Sequence, residues 1–206
     1  MAGVRSWEWA CRIIGDGCFW PEEDIANISV MQSLYLIAFP EMAERDAHSV
    51  EALRASHDPV GHSMLKAHFT FMFGCTGVSA EIAAGVMQSV ATGTGPIDFR
   101  LSQTVQSQHD KLHYVFLCPD KGGNEMRELH RRLHSGPLAA CLDSGRQFTP
   151  HLTICKSADP EHARVVSDQL NRHAIHMDGR IRTLSLGVLE QGTFKVLERS
   201  ILSGSA

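Results

Sequence analysis

The apolar positions change period along the chain, and the changes mark elements. Ser33–Phe39 (SLYLIAF) is a continuous apolar run ended by Pro40, and it reads as a buried strand. Charges and alanines at helical spacing predict a helix over Glu41–Ser56. A second strand is expected over Ser63–Phe73, where Phe69, Phe71 and Phe73 alternate. Ser79–Ala91 (SAEIAAGVMQSVA) returns to the helical period, with Ser79 as N-cap and the Gly93-Thr94-Gly95-Pro96 stretch as its stop. Strands are predicted over Ile97–Val105 and Lys111–Cys118 across a polar turn, followed by a charged helix over Asn124–His134. Gln147–Cys155 reads as a strand, and Asp159–His173 as a helix capped by Asp159 with Pro160 in its first turn. Ile181–Leu189 and Thr193–Leu202 close the chain as strands about a Gln191-Gly192 turn.

The resulting order, β-α-β-α-β-β-α-β-α-β-β, predicts an α+β fold. Each half carries a strand, a helix, a strand bearing His-x-Thr, a helix and further strand. Such a duplicated β-α-β-α-β pattern predicts two similar lobes with a cleft where they meet. Residues 1–31 break the pattern. They are Trp-rich, lack a period, and are interrupted by Gly15-Asp16-Gly17 and Pro21. The predicted division is therefore a poorly ordered N-terminal extension over 1–31 and a two-lobed domain over 32–206.

Composition narrows the function. A chain of 206 residues with 43% hydrophobic and 20% charged residues can bury a core. Its net charge of −4 argues against a broad basic surface for duplex DNA, but not against a small anion in a local pocket. No apolar run approaches the roughly 18 residues of a membrane span, and Arg5, Glu8, Arg12 and Asp16 make a poor signal peptide. A cytoplasmic location follows as the expectation. Six cysteines without a C-x-x-C pair are then expected as buried free thiols rather than a disulfide framework. Asn27-Ile28-Ser29 matches a glycosylation sequon, which carries no weight without secretion.

The chemistry sits in two motifs, His68-Phe69-Thr70 and His151-Leu152-Thr153. Residues two apart on a strand share a face, so His and Thr point together in each. A His-Thr pair in an apolar strand is costly unless partnered or functional. Two imidazoles supply a base and an acid near neutral pH, as phosphodiester hydrolysis needs. Two hydroxyls donate to the non-bridging oxygens. The scheme requires no metal and no cofactor. The competing reading, structural histidines with satisfied bonds, suits a lone H-x-T better than a pair in corresponding places. A metal site at His109/His113 or His130/His134 is disfavoured by a turn in the first and by Arg127, Arg131 and Arg132 around the second. Gly93-Thr94-Gly95 lacks the lysine and following helix of a P-loop.

Phe148-Thr149-Pro150-His151-Leu152-Thr153-Ile154 and Ala67-His68-Phe69-Thr70-Phe71-Met72-Phe73-Gly74 resemble the paired motifs of the two-histidine phosphoesterase superfamily, which includes 2′-5′ RNA ligase-like proteins and RNA 2′,3′-cyclic phosphodiesterases. The resemblance covers about residues 32–202. It implies a bilobal fold with two antiparallel sheets flanking the cleft, helices outside, and His68 facing His151. It implies hydrolysis of a 2′,3′-cyclic phosphate to a 2′-phosphomonoester, with possible 2′-5′ ligation. His151 would activate water, His68 would protonate O3′, and Thr70 and Thr153 would bind phosphate. Lys156 falls where the family often has a basic residue, commonly arginine, and also joins the phosphate site. Lys66-Ala67 depart from the proline or arginine common before the first histidine. Tyr35, Tyr114 and Phe148 are candidates to stack on a base, against core packing as the competing role. The expected partner is an RNA 3′ end or a small cyclic nucleotide, and the expected state a monomer. The alternative is a non-catalytic module that binds a nucleoside phosphate on the same fold.

Overall fold

The structure, a computed structural model, describes residues 32–204 except 144, 146 and 174. The predicted extension over 1–31, with Cys11 and Cys18, lies outside the described residues. The element order is β1 (Leu34–Ala38), β2 (Glu41–Met42), α1 (Glu44–His57), α2 (Pro59–Met64), β3 (Phe69–Cys75), α3 (Ala80–Thr92), β4 (Ile97–His109), β5 (Leu112–Lys121), α4 (Gly123–Leu133), β6 (Leu152–Ser157), α5 (Pro160–Arg172), β7 (Met177–Ile181), β8 (Thr183–Glu190) and β9 (Thr193–Ile201). The α+β expectation holds, with two antiparallel sheets: β3-β1-β8-β9, and β2-β7-β4-β5-β6.

The lobes are not the two halves of the chain. β1 and β3 share a sheet with the last two strands, whereas β6 closes the other sheet beside β5. Each motif strand is thus a sheet edge. α3 packs on β8 and β9, α5 on β4, β5 and β6, and α1 on β6. α4 buries Met126, Leu129 and Leu133 at helical spacing and touches both α3 and strands of each sheet, so one continuous core serves both lobes.

Local chemistry explains the boundaries. Ser79 Oγ accepts from the Ile82 N–H at 3.3 Å, and an Asp159 carboxylate oxygen accepts from the Glu161 N–H at 2.9 Å, as their cap roles predict. At the end of α3, Arg132 donates to the Gly93 carbonyl and to Thr94 Oγ1, which fixes this loop as a helix stop. Gln191 and Gly192 both take positive φ (49° and 77°) in the tight β8–β9 turn. Four expectations change. Glu41 and Met42 pair with β7 as a short strand, so the helix expected from Glu41 begins only at Glu44. Ser63 and Met64 belong to α2, because Asp58 caps it through the Gly61 N–H and Pro59 opens it, so β3 begins only at Phe69. Gln147–His151 precede β6 instead of extending it. The polar stretch MDGRI forms β7, whose pairing with β2 and β4 supplies the stability its side chains lack.

The thiols also need correction. Cys118 and Cys155 are free and buried, but Cys75 and Cys141 form a disulfide across 66 residues. It ties the end of β3 to a short 3-10 turn at Ala139–Cys141. Nothing in the spacing signals it; the packing of that turn against β3 makes the pair neighbours. Among the described residues, no helix is long and apolar enough to cross a membrane.

Candidate active site

Alternation along the strands decides which side chains face away from the core. In β1, Leu34, Leu36 and Ala38 enter the core, which turns Tyr35 and Ile37 to the other face. Ile37 pairs with Thr70 on one side and Ser185 on the other, and Ser185 pairs with Arg199. Thr70, Ile37, Ser185 and Arg199 therefore form one row across the sheet, the last two unanticipated from sequence. Gly74, the glycine of the first motif, has φ +62°, a conformation L side chains rarely adopt.

On the second sheet Thr153 pairs with Phe116, and Lys156 with Tyr114. Residues 153 and 156 differ by an odd number and would point to opposite faces of a regular strand. An irregularity in the β5–β6 ladder between Val115 and Phe116 inserts the extra residue that brings both to one face. The Lys156 ammonium stands 6.0 Å from the Tyr114 ring centroid.

The two histidines are held identically. Nδ1–H of His68 donates to the Lys66 carbonyl at 2.7 Å, and Nδ1–H of His151 donates to the Thr149 carbonyl at 2.7 Å. A carbonyl only accepts, so each ring keeps its proton on Nδ1 and presents Nε2. Both rings are half-buried. Burial pushes His68 down to about 4; the positive charges of Arg54 and His151 push the same way, against the Lys66 bond and the Glu51 carboxylate. Burial likewise lowers His151. That His151 disfavours a charge on His68 places the two rings in one electrostatic environment. Among the described residues, neither Nε2 nor either threonine hydroxyl has a hydrogen-bond partner, so all four are available to a ligand.

The aromatic candidates separate. Phe148 stacks on His130, with centroids 3.9 Å apart and planes 3° from parallel, and lies 5.8 Å from Phe71. One face of Phe148 is thus already covered. Tyr35 packs edge-on against Phe73, which is 77% exposed. Tyr114 lies beside Phe116. Phe116 itself stacks on His151, a contact that sequence reasoning missed. Its signal was faint: an aromatic at the alternating position two residues after Tyr114. His130 and His134 are adjacent rings on α4, with His134 Nδ1 on the His130 carbonyl, and His109 and His113 lie at a strand turn. No group of three or more potential metal ligands occurs among the described residues. A cavity of about 690 Å³, bounded by Leu53, His57, Val166, Leu170, Arg172 and Met177, includes neither motif.

Two antiparallel sheets, each ending in a strand that opens on His-x-Thr, define the class of two-histidine phosphoesterases. The sequence profile of the 2′-5′ RNA ligase superfamily matches residues 39–193, and the chain belongs to that superfamily. No curated protein matches it. Among solved structures it is similar in fold to a protein described as a phosphoesterase (19% identity, TM-score 0.56, covering 84% of this chain and 99% of that one). It is also similar to Escherichia coli LigT complexed with 3′-AMP (18%, 0.55, 84% and 99%) and to TT0787 of Thermus thermophilus (16%, 0.54, 84% and 100%).

Proposed function

We propose that the protein is a metal-independent phosphodiesterase that opens a 2′,3′-cyclic phosphate, at an RNA end or on a nucleotide, to a 2′-phosphomonoester. The observation that carries the reading is the matched pair of imidazoles, each locked as the Nδ1–H tautomer with Nε2 and a threonine hydroxyl unpartnered. His151 Nε2 takes a proton from water as the water oxygen attacks phosphorus. The P–O3′ bond breaks, and protonated His68 gives its Nε2 proton to O3′. Thr70 and Thr153 donate to the non-bridging oxygens, and Lys156 adds charge without a bidentate fork. With a 5′-hydroxyl in place of water, the same groups in the same roles join a 2′-5′ linkage; run backwards, they exchange roles and cleave it.

Burial holds His68 neutral in the free protein, so it takes up its catalytic proton from solvent as the substrate binds. A bound phosphodiester anion favours both imidazolium forms. Tyr114, beside Lys156, and Tyr35 would stack on a base; LigT has been solved with 3′-AMP, ATP and NADP+. The domain is residues 32–206, with 1–31 an extension to it, acting as a monomer in the cytoplasm.

The test is product analysis on 2′,3′-cyclic AMP and on RNA ending in a cyclic phosphate, with and without chelator. The 2′-monoester, formed equally in chelator, is expected. Binding without product would favour a non-catalytic module, and loss of turnover in chelator would point to a metal.

A further inference from the structure

The approach to His68 is gripped by an ion pair that belongs to neither motif. Glu51 and Arg54 stand one turn apart on α1, with Arg54 Nη1 2.9 Å from Glu51 Oε2. Glu51 Oε1 accepts the Ala67 N–H at 2.7 Å, and Arg54 Nη2 donates to the Leu65 carbonyl at 2.8 Å. Between those two anchored residues is Lys66, whose carbonyl holds Nδ1–H of His68. The same helix packs on β6, the strand that follows His151. Arg54 is 3% exposed, and its Nε is buried without a partner. An ion pair with one buried partner is weak evidence for stability, because apolar residues of similar volume often replace a buried pair without loss.

We propose that the Glu51–Arg54 pair is a positioning device for His68: it clamps the Leu65–Ala67 segment, fixes the Lys66 carbonyl that sets the imidazole's tautomer, and ties that imidazole to the element carrying the second motif. The inference rests on the reading of His68 as a catalytic group. The pair acts through the loop and touches no substrate.

The clamp also sets the charge around His68. The groups that act on this ring are Glu51 and Arg54 from α1, the Lys66 carbonyl of its own loop and His151 of the second motif; His62 of α2 stands 3.6 Å from Glu51. Arg54 disfavours the imidazolium and Glu51 favours it. Glu51→Gln keeps an oxygen for the Ala67 N–H but leaves Arg54 uncompensated, so His68 holds its proton less well. The limb of kcat that falls as pH rises then moves to lower pH. Arg54→Met removes the opposing charge and moves that limb to higher pH, while freeing the Leu65 carbonyl.

The experiment measures kcat and KM against pH on 2′,3′-cyclic AMP for the full chain, its His68→Ala variant and the two clamp variants, with imidazole nitrogen NMR to read the His68 tautomer. Expected are opposite displacements of the limb, a fall in kcat of about 10- to 100-fold for Arg54→Met with KM little changed, and a mixed tautomer in Arg54→Met only. If Arg54→Met does not fold, the double variant Glu51→Gln/Arg54→Met, which buries no lone charge, takes its place and must show the mixed tautomer. An inactive His68→Ala alongside clamp variants with the wild-type profile and tautomer overturns the clamp. Near-normal turnover in His68→Ala overturns the catalytic reading itself.

Discussion

Phe116 stacks on the imidazole of His151, with ring centroids 3.8 Å apart and planes 26° from parallel. One face of the ring is closed by the phenyl group while Nδ1 is tied to the Thr149 carbonyl, so His151 keeps one orientation before any ligand arrives. Because Phe116 pairs with Thr153 across the sheet, the same residue stands beside both polar members of the second motif. Phe116→Leu keeps an apolar neighbour but loses the planar contact. We expect kcat on the cyclic substrate to fall by about 10-fold, with the fold intact by circular dichroism. Unchanged kcat would show that Thr149 alone orients the ring.

Removing either imidazole tests the reaction directly. His68→Ala and His151→Ala should each lower kcat by about 10²- to 10⁴-fold, the range typical of a lost general acid or base. Thr70→Val and Thr153→Val keep the shape and delete the hydroxyl. They should lower kcat/KM by about 10- to 100-fold, as expected for a lost hydrogen bond to a charged group. Steady-state assays of the four variants distinguish a shared site from two unrelated motifs: in the latter case one pair would behave like wild type.

The elements with strong periodicity were legible in the sequence. α3 and α5 carried their own caps, and the motif strands were marked by polar pairs among apolar residues. What was hidden depended on partners. The polar strand β7 exists because β2 and β4 flank it. Asp58 and Pro59 announced α2, but the alternating phenylalanines beyond them drew the expected strand too far back. The interleaving of the lobes follows from sheet order, and the Cys75–Cys141 pair from the packing of a 3-10 turn on β3; no local window contains either. At the site, His68, Thr70, His151 and Thr153 stood out by residue type. Phe116, Glu51 and Arg54 looked like ordinary strand and helix residues until the fold brought them to the histidines.

The free-protein and bound-state pKa values of His68 should differ. The free imidazole is held down to about 4, and an acid must be protonated to work. The limb of kcat/KM that falls with rising pH reports the free protein, and that of kcat reports the complex. The substrate's negative charge raises the His68 pKa, so the kcat limb should lie at higher pH. Phosphate binding should also take up protons near neutral pH, which calorimetry in buffers of different ionisation enthalpy measures. Coincident limbs and no proton uptake would remove His68 as the acid.

The disulfide should be a stabilising tie. Closing 66 residues limits the unfolded chain by about 4 kcal/mol in the loop-entropy description. Cys75→Ser, or reduction of the wild type, should lower Tm by roughly 8–16 °C for a domain of this size. Thiol titration of the denatured protein with and without prior reduction gives the number of paired cysteines. A wild type whose Tm ignores reductant would show that the pair does not form under the conditions tested.

Acid should weaken the fold through histidines that are buried neutral. His130, stacked between Phe148 and His134, is pushed down to about 4 by burial and by the charge of His134. Burial lowers His68 and His151 as well. A histidine whose pKa is lower in the folded than in the unfolded chain binds fewer protons when folded, so stability is complete above about pH 6.5 and is lost as pH falls toward 4. His130 alone accounts for about 2 kcal/mol of that loss, after allowing for its partial exposure. His130→Gln removes the proton-binding group from both states. Denaturant unfolding between pH 7 and 4 should therefore show a shallower decline for the variant than for the wild type, even where glutamine costs stability at pH 7. Since His130 lies outside the two motifs and touches the second only through Phe148, its substitution should leave the pH dependence of turnover in place. Parallel stability curves for variant and wild type would mean that folding does not lower the pKa of His130.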